Sequence, residues 1–262
     1  MMRITKPLIE KLMQACINDY NGEYGKRIEV FDKETRFDNE NVEGFFGEMI
    51  TDTKTLYIVF RGTDEKLDWK HNFQFRKLPI VNKITNGTDE LETPYKNVSP
   101  KIKTHKGFTE DYRKVRQTIL DKIATGKYDT IIITGHSLGG SLATLCAVDS
   151  QFHFPDMRII NITFASPRVG NKEFAKSYDK RVPLTLRIVN GEDYITKVPL
   201  NIQGYYHVGT KIHIGYHNPL CWLPIIRAIG SLYHYPLLYL KNIKKDISED
   251  FDFYYFYYSN TL

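Results

Sequence analysis

Cysteine is scarce: only Cys16, Cys146 and Cys221 occur among 262 residues. Three thiols so widely spaced exclude a disulfide framework and a thiolate metal site. Long apolar runs are equally scarce. Lys6, Glu10 and Lys11 interrupt the N-terminal stretch, so no secretory leader is expected there. The most apolar tract, residues 219–240, contains Pro224, Arg227, His234 and Pro236, which argues against a membrane span. A cytoplasmic location is the resulting expectation. Nor is there a large excess of one charge. Lys and Arg number 36 against 31 Asp and Glu, leaving +5 with both signs scattered, which excludes a dedicated nucleic-acid binder. Internal repeats and low-complexity tracts are missing too. What remains, 42% hydrophobic and 26% charged, is the composition of an ordinary folded protein, long enough for a single α/β domain over residues 1–262.

The apolar pattern alternates strand, helix and strand. Strands are expected at 28–31, 47–50 and 55–61, the last two joined by a polar turn at 51–54. Residues 64–103 are broken by Pro79, Asn86-Gly87, Pro94 and Pro100 and show no regular element. Phe108, Tyr112, Val115, Ile119 and Ile123 then form a helical stripe, closed by Gly126. The tract TIIITG, 130–135, is continuously apolar and β-branched, the pattern of a central parallel strand covered on both faces. A small-residue helix follows it, and further strands are expected at 159–164 and 184–189. This order predicts an open, mostly parallel sheet. The aromatic tail at 251–258 is expected to dock on the edge of the core.

Gly135-His136-Ser137-Leu138-Gly139 is a G-x-S-x-G between the apolar strand and the helix. That is the setting of a nucleophile elbow, where a serine is held in a strained turn flanked by glycines. A serine hydroxyl is a weak nucleophile and needs a base, which in turn needs an orienting carboxylate. In such sheets the partners follow the serine in the order acid, then histidine. Asp193, just beyond the strand at 184–189, is the candidate acid, with Glu192 its adjacent rival. His153, His207, His213, His217 and His234 all follow Ser137, and spacing does not choose between them. His234 alone lies in a long apolar segment.

The sequence resembles the class 3, fungal-type lipase family through ordered blocks: Ile58-Val59-Phe60-Arg61-Gly62-Thr63, His105-Lys106-Gly107-Phe108, Gly135 through Gly140, Phe164-Ala165-Ser166-Pro167-Arg168-Val169-Gly170-Asn171, and Arg187-Ile188-Val189-Asn190 leading to Asp193. His234 followed by Tyr239 is similar to the family's ending. The resemblance implies an α/β-hydrolase fold, a mostly parallel sheet with helices on both faces. It also implies a serine ester hydrolase acting on acylglycerols or other lipid esters, with no metal or organic cofactor. Ser137 would be the nucleophile, Asp193 the orienting acid and His234 the base, with the N–H groups of Thr63 and Leu138 as oxyanion donors. His136 is expected to pack behind the elbow and His207 to be scaffold. Arg61 and Arg168 are expected in structural ion pairs. The implied partners are a lipid or ester substrate and a transient lipid interface, with no nucleic acid. Phospholipase, short-chain esterase, acyltransferase and non-catalytic binding module are the rival readings. The chain departs from the family in a long stretch between Trp69 and His105, and it lacks the paired cysteines of secreted members. A lid is expected within 64–81, with Phe73, Phe75, Leu78, Pro79 and Ile80 beneath and Lys66, Lys70, Arg76 and Lys77 facing outward.

Overall fold

A computed structural model describes residues 3–20, 23–40, 42–62, 102–216 and 230–253. Thr63, the expected lid and residues 217–229 of the apolar tract lie outside the described residues. So does the aromatic tail beyond Phe253.

A seven-stranded sheet runs in the order β1-β2-β3-β4-β5-β7-β9. β1 (Lys33–Asn39), β2 (Val42–Glu48) and β3 (Thr55–Phe60) form an antiparallel meander. β3 then continues in parallel with β4 (Thr130–His136), β5 (Arg158–Phe164), β7 (Thr185–Asn190) and β9 (Thr210–Ile214). A small separate ladder pairs β6 (Gly170–Asn171) with β8 (Tyr205–Tyr206). The helices are α1 (Lys6–Asp19), α2 (Lys106–Ile123), α3 (Leu138–His153), α4 (Lys172–Arg181) and α5 (Pro236–Asp246).

The continuously apolar strands supply two cores at once, because successive side chains leave a strand on opposite faces. Leu56, Ile58, Phe60, Ile131 and Ile133 pack with α2, α3 and α4 on one face. Tyr57, Val59, Ile132, Ile160 and Ile162 pack with α1 and α5 on the other. Fully burying one such side chain contributes about 1.5–3 kcal/mol, so a sheet apolar on both faces is stable only between two helical layers.

The first strands differ from the sequence expectation. Residues 28–31 form no strand, and Ile28 is 56% exposed. The edge strand is instead the polar Lys33–Asn39, of which only Phe37 is buried, so apolar periodicity carries little trace of it. The expected strand at 47–50 is β2, ending at Glu48, where Gly44 and Gly47 weaken the strand signal. Its hairpin with β3 forms as expected. Besides β1, the elements α1, α4 and β9 and the two-residue strands β6 and β8 were not expected from the sequence. For α1 a signal existed, since Ile9, Leu12, Met13 and Cys16 are buried at helical spacing. At the start of the aromatic tail, Phe253 N–H donates to Ile4 O at 3.0 Å and its ring is fully buried, which docks that point against the N-terminal segment. Among the described residues no helix is long and apolar enough to cross a membrane, and no side-chain group could hold a metal ion.

Candidate active site

β4 delivers Ser137 at its carboxyl end, and α3 begins one residue later. Ser137 has φ 58 and ψ −124, a backbone conformation costing roughly 1–3 kcal/mol for a residue with a Cβ. The flanking glycines make the turn feasible. A Cβ on Gly135 would lie 2.3 Å from the Gly139 backbone, and one on Gly139 would lie 2.3 Å from Phe60 O. Strand and helix therefore approach too closely for any side chain. Ser137 N–H donates to Phe164 O at 3.0 Å, tying the elbow to β5. The side chain is buried, and its Oγ makes no hydrogen bond among the described residues. Nucleophile contacts of this kind often tighten only when substrate enters. Leu138 is the first residue of α3, so its N–H is one of those a helix start leaves without an intrahelical acceptor, at the positive end of the macrodipole.

The candidate acid follows β7. Asp193 N–H donates to Asn190 O at 3.0 Å, closing a turn that drives the carboxylate into the protein, where it is fully buried. There it accepts from Ile195 N–H at 2.9 Å, from Tyr239 Oη at 2.6 Å and from His234 Nδ1, which lies 3.0 and 2.9 Å from its two oxygens. A buried carboxylate is tolerated because its lone pairs are met in this way. Since both Asp193 oxygens only accept, Nδ1 carries the proton and Nε2 is the basic nitrogen. His234 reaches this position from a short 3-10 turn, Gly230–His234, just ahead of α5.

The structure thus brings Asp193 and His234 together and leaves their rivals elsewhere. Glu192 turns to an ion pair with Lys197. His207 Nε2 donates to Thr196 O at 2.7 Å, holding the loop beyond Asp193 as scaffold. His213 Nε2 meets Gly191 O at 3.0 Å, and His153 lies against Arg116 at 2.7 Å. His217 lies outside the described residues.

His136 is fully buried behind the elbow, with Nδ1 2.8 Å from Tyr20 Oη and Nε2 2.9 Å from His234 O. Burial, reinforced by the neighbouring His234, holds its pKa well below the ordinary histidine value. Arg61 forms the expected ion pair, 2.6 Å from Glu43. Arg168 does not. Among the described residues its guanidinium donates to the carbonyls of Lys197 and Pro199, the latter at 2.9 Å, because the chain returning from Asp193 presents backbone acceptors there and no carboxylate.

Two residues that sequence reasoning missed complete the arrangement. Asn190 Nδ2 donates to Tyr233 O at 2.8 Å, and Tyr20, at the end of α1, reaches His136. Asn190 stood inside a motif block as a hint of its importance. Tyr20 had no local signal, since its partner lies 116 positions away.

A family model described as Lipase (class 3) matches residues 57–203. Among curated proteins, a chloroplastic phospholipase A(1) of Arabidopsis thaliana is 34% identical over 157 residues, 56% of this chain and 34% of that protein. A lipase of Rhizomucor miehei is 31% identical over 173 residues, 63% of this chain and 43% of that protein. The chain therefore spans less than half the length of these relatives. Among solved structures, a triacylglycerol lipase from Penicillium expansum superposes with a TM-score of 0.65 at 22% identity, covering 81% of this chain and 80% of that one. The Rhizomucor miehei triacylglyceride lipase gives 0.62 at 23%, covering 79% of each chain. The fold is the expected α/β-hydrolase fold.

Proposed function

The chain belongs to the class 3 lipase family, and from that premise we propose that it is a serine ester hydrolase acting on lipid esters, acylglycerols foremost. One observation carries the reading: a buried Asp193–His234 pair at 2.9 Å whose imidazole lies 4.6 Å from that of His136, the residue preceding a serine held at positive φ between two obligatory glycines. Ser137 Oγ attacks the ester carbonyl while His234 Nε2 takes its proton, and the imidazolium is stabilised by Asp193. The N–H groups of Leu138 and, by family resemblance, Thr63 hold the tetrahedral oxyanion, each such donor supplying roughly 3–4 kcal/mol. His234 then protonates the departing alkoxide, leaving an acyl-serine. Water attacks that ester with His234 again as base, releasing the carboxylic acid and restoring Ser137. No metal or cofactor enters this scheme.

The surroundings of His234 support an apolar acyl chain and a transient contact with a lipid surface. Leu232, Tyr235 and Leu237 flank it and are 63%, 42% and 44% exposed. A phospholipase is the second reading, favoured by the likeness to the plant phospholipase A(1). The experiment is hydrolysis of p-nitrophenyl esters from two-carbon to long acyl chains, with Ser137→Ala alongside. Activity that rises with chain length and disappears in the variant is expected. A steady fall from the two-carbon ester would replace the lipid substrate with a small ester, and turnover undiminished in Ser137→Ala would overturn the site itself.

A further inference from the structure

His234 comes from a short turn outside the sheet, yet its main chain is held from two strand ends. Asn190, ahead of Asp193, donates to the carbonyl of Tyr233 at 2.8 Å. His136, immediately ahead of Ser137, meets the carbonyl of His234 at 2.9 Å, and the two imidazole rings lie 4.6 Å apart. The residues preceding the nucleophile and the acid thus each grip the loop that carries the base.

The acceptors decide the protonation of this chain of contacts. A carbonyl can only accept, so His136 Nε2 carries the proton and donates to His234 O. In a neutral imidazole Nδ1 is then bare and must accept, and its partner at 2.8 Å is the hydroxyl of Tyr20. Tyr20 is buried at the end of α1, on the opposite layer from α3. Its O–H donates to Nδ1 and selects the tautomer that grips His234.

We infer that His136 is a positioning residue for catalysis, fixing the His234 ring relative to Ser137 through the His234 main-chain carbonyl, with Tyr20 setting its tautomer. The inference rests on the reading of His234 as the base. It goes beyond packing, because an apolar ring of equal size would fill the same space and hold nothing.

The test compares Tyr20→Phe, His136→Phe and His136→Gln with the unaltered chain, each first checked for folding by its thermal midpoint. A glutamine amide can still donate to the His234 carbonyl, whereas phenylalanine cannot. Expected are a kcat about 100-fold lower in His136→Phe and about tenfold lower in Tyr20→Phe, with KM little changed and slower fluorophosphonate labelling of Ser137, because misplaced reacting groups cost rate and not ground-state binding. His136→Gln is expected to recover most of the loss. Unchanged kcat and labelling in both phenylalanine variants would overturn the inference, as would an equal loss in His136→Gln and His136→Phe. If the unaltered chain hydrolysed no ester, the reading of the site would fail first. The low-field proton resonance of His234 Nδ1–H would then decide this inference without turnover: broadened in His136→Phe and Tyr20→Phe if it is right, unchanged if it is wrong.

Discussion

The phenol of Tyr239 donates to Asp193 Oδ2 at 2.6 Å, and His234 Nδ1 meets the same oxygen at 2.9 Å. Tyr239 also accepts from Asn190 N–H at 3.1 Å, so one hydroxyl ties the first turns of α5 to the end of β7 and to the carboxylate. Tyr239→Phe would leave the Asn190 donor unmet and Asp193 Oδ2 with one donor fewer. A loss of about 1–3 kcal/mol in unfolding free energy is expected. A lower kcat at little-changed KM should accompany it. Denaturant titration and ester kinetics on one preparation check both, and an unchanged midpoint would contradict the hydrogen-bonding argument.

Glu192 and Asp193 are adjacent carboxylates with different environments. Asp193→Asn removes the acceptor that fixes the His234 tautomer, and a fall in kcat on the order of 10⁴ is expected by analogy with such triads elsewhere. Glu192→Gln loses an ion pair with the partly exposed Lys197 and should stay within about threefold of the unaltered rate. Steady-state kinetics of the pair decide the assignment; the reverse order would exchange the roles.

Asp19, at the end of α1, is pushed up to about 7 from the ordinary 3.8 by burial, with Arg36 and then Arg61 pulling it back. Its native form binds the proton more tightly than the unfolded chain does. This group therefore favours folding below about pH 4, and its contribution is lost as pH rises through 7. In Asp19→Asn that loss is removed. The variant's thermal midpoint should gain on the unaltered chain steadily between pH 4 and pH 8, and a flat difference would show that Asp19 is not the titrating group.

α2 and α3 are joined by a buried ion pair, with Arg116 Nε 2.7 Å and Nη2 3.0 Å from the Asp149 oxygens and Tyr112 Oη 2.8 Å away. Arg116→Met strands the carboxylate and should destabilise by about 3–5 kcal/mol. The double variant Arg116→Met/Asp149→Leu should recover much of this, since replacing both partners removes the uncompensated charge. Chemical denaturation of the single and double variants measures the difference, and equal losses would show that packing, not charge, is at stake.

Legibility in the sequence followed the range of the interactions. β3, β4, β5, β7 and α2 were readable because each buries a contiguous, periodic set of side chains, and the elbow because Gly135 meets the Gly139 backbone across a few residues of turn. β1 was not readable, because an edge strand with a single buried side chain owes its form to the register Phe37↔Gly44 and not to its own composition. Nor did composition mark Arg168 as a clamp on backbone carbonyls, since those acceptors are supplied by a loop about thirty positions on.

The linear pattern was enough to establish a parallel apolar sheet, a serine on a sharp strand-to-helix turn, and an acid and a histidine in the required order. The resemblance implied Asp193 and His234; the tertiary structure showed that Asp193 and not Glu192 is the carboxylate buried against His234, and it set Tyr20 and Tyr239 around them. The turn after β7 buries one carboxylate and leaves its neighbour to Lys197, and the histidine that meets the buried one is 41 positions away. Hydrogen bonds over such separations depend on how layers pack against the sheet, which no local periodicity encodes.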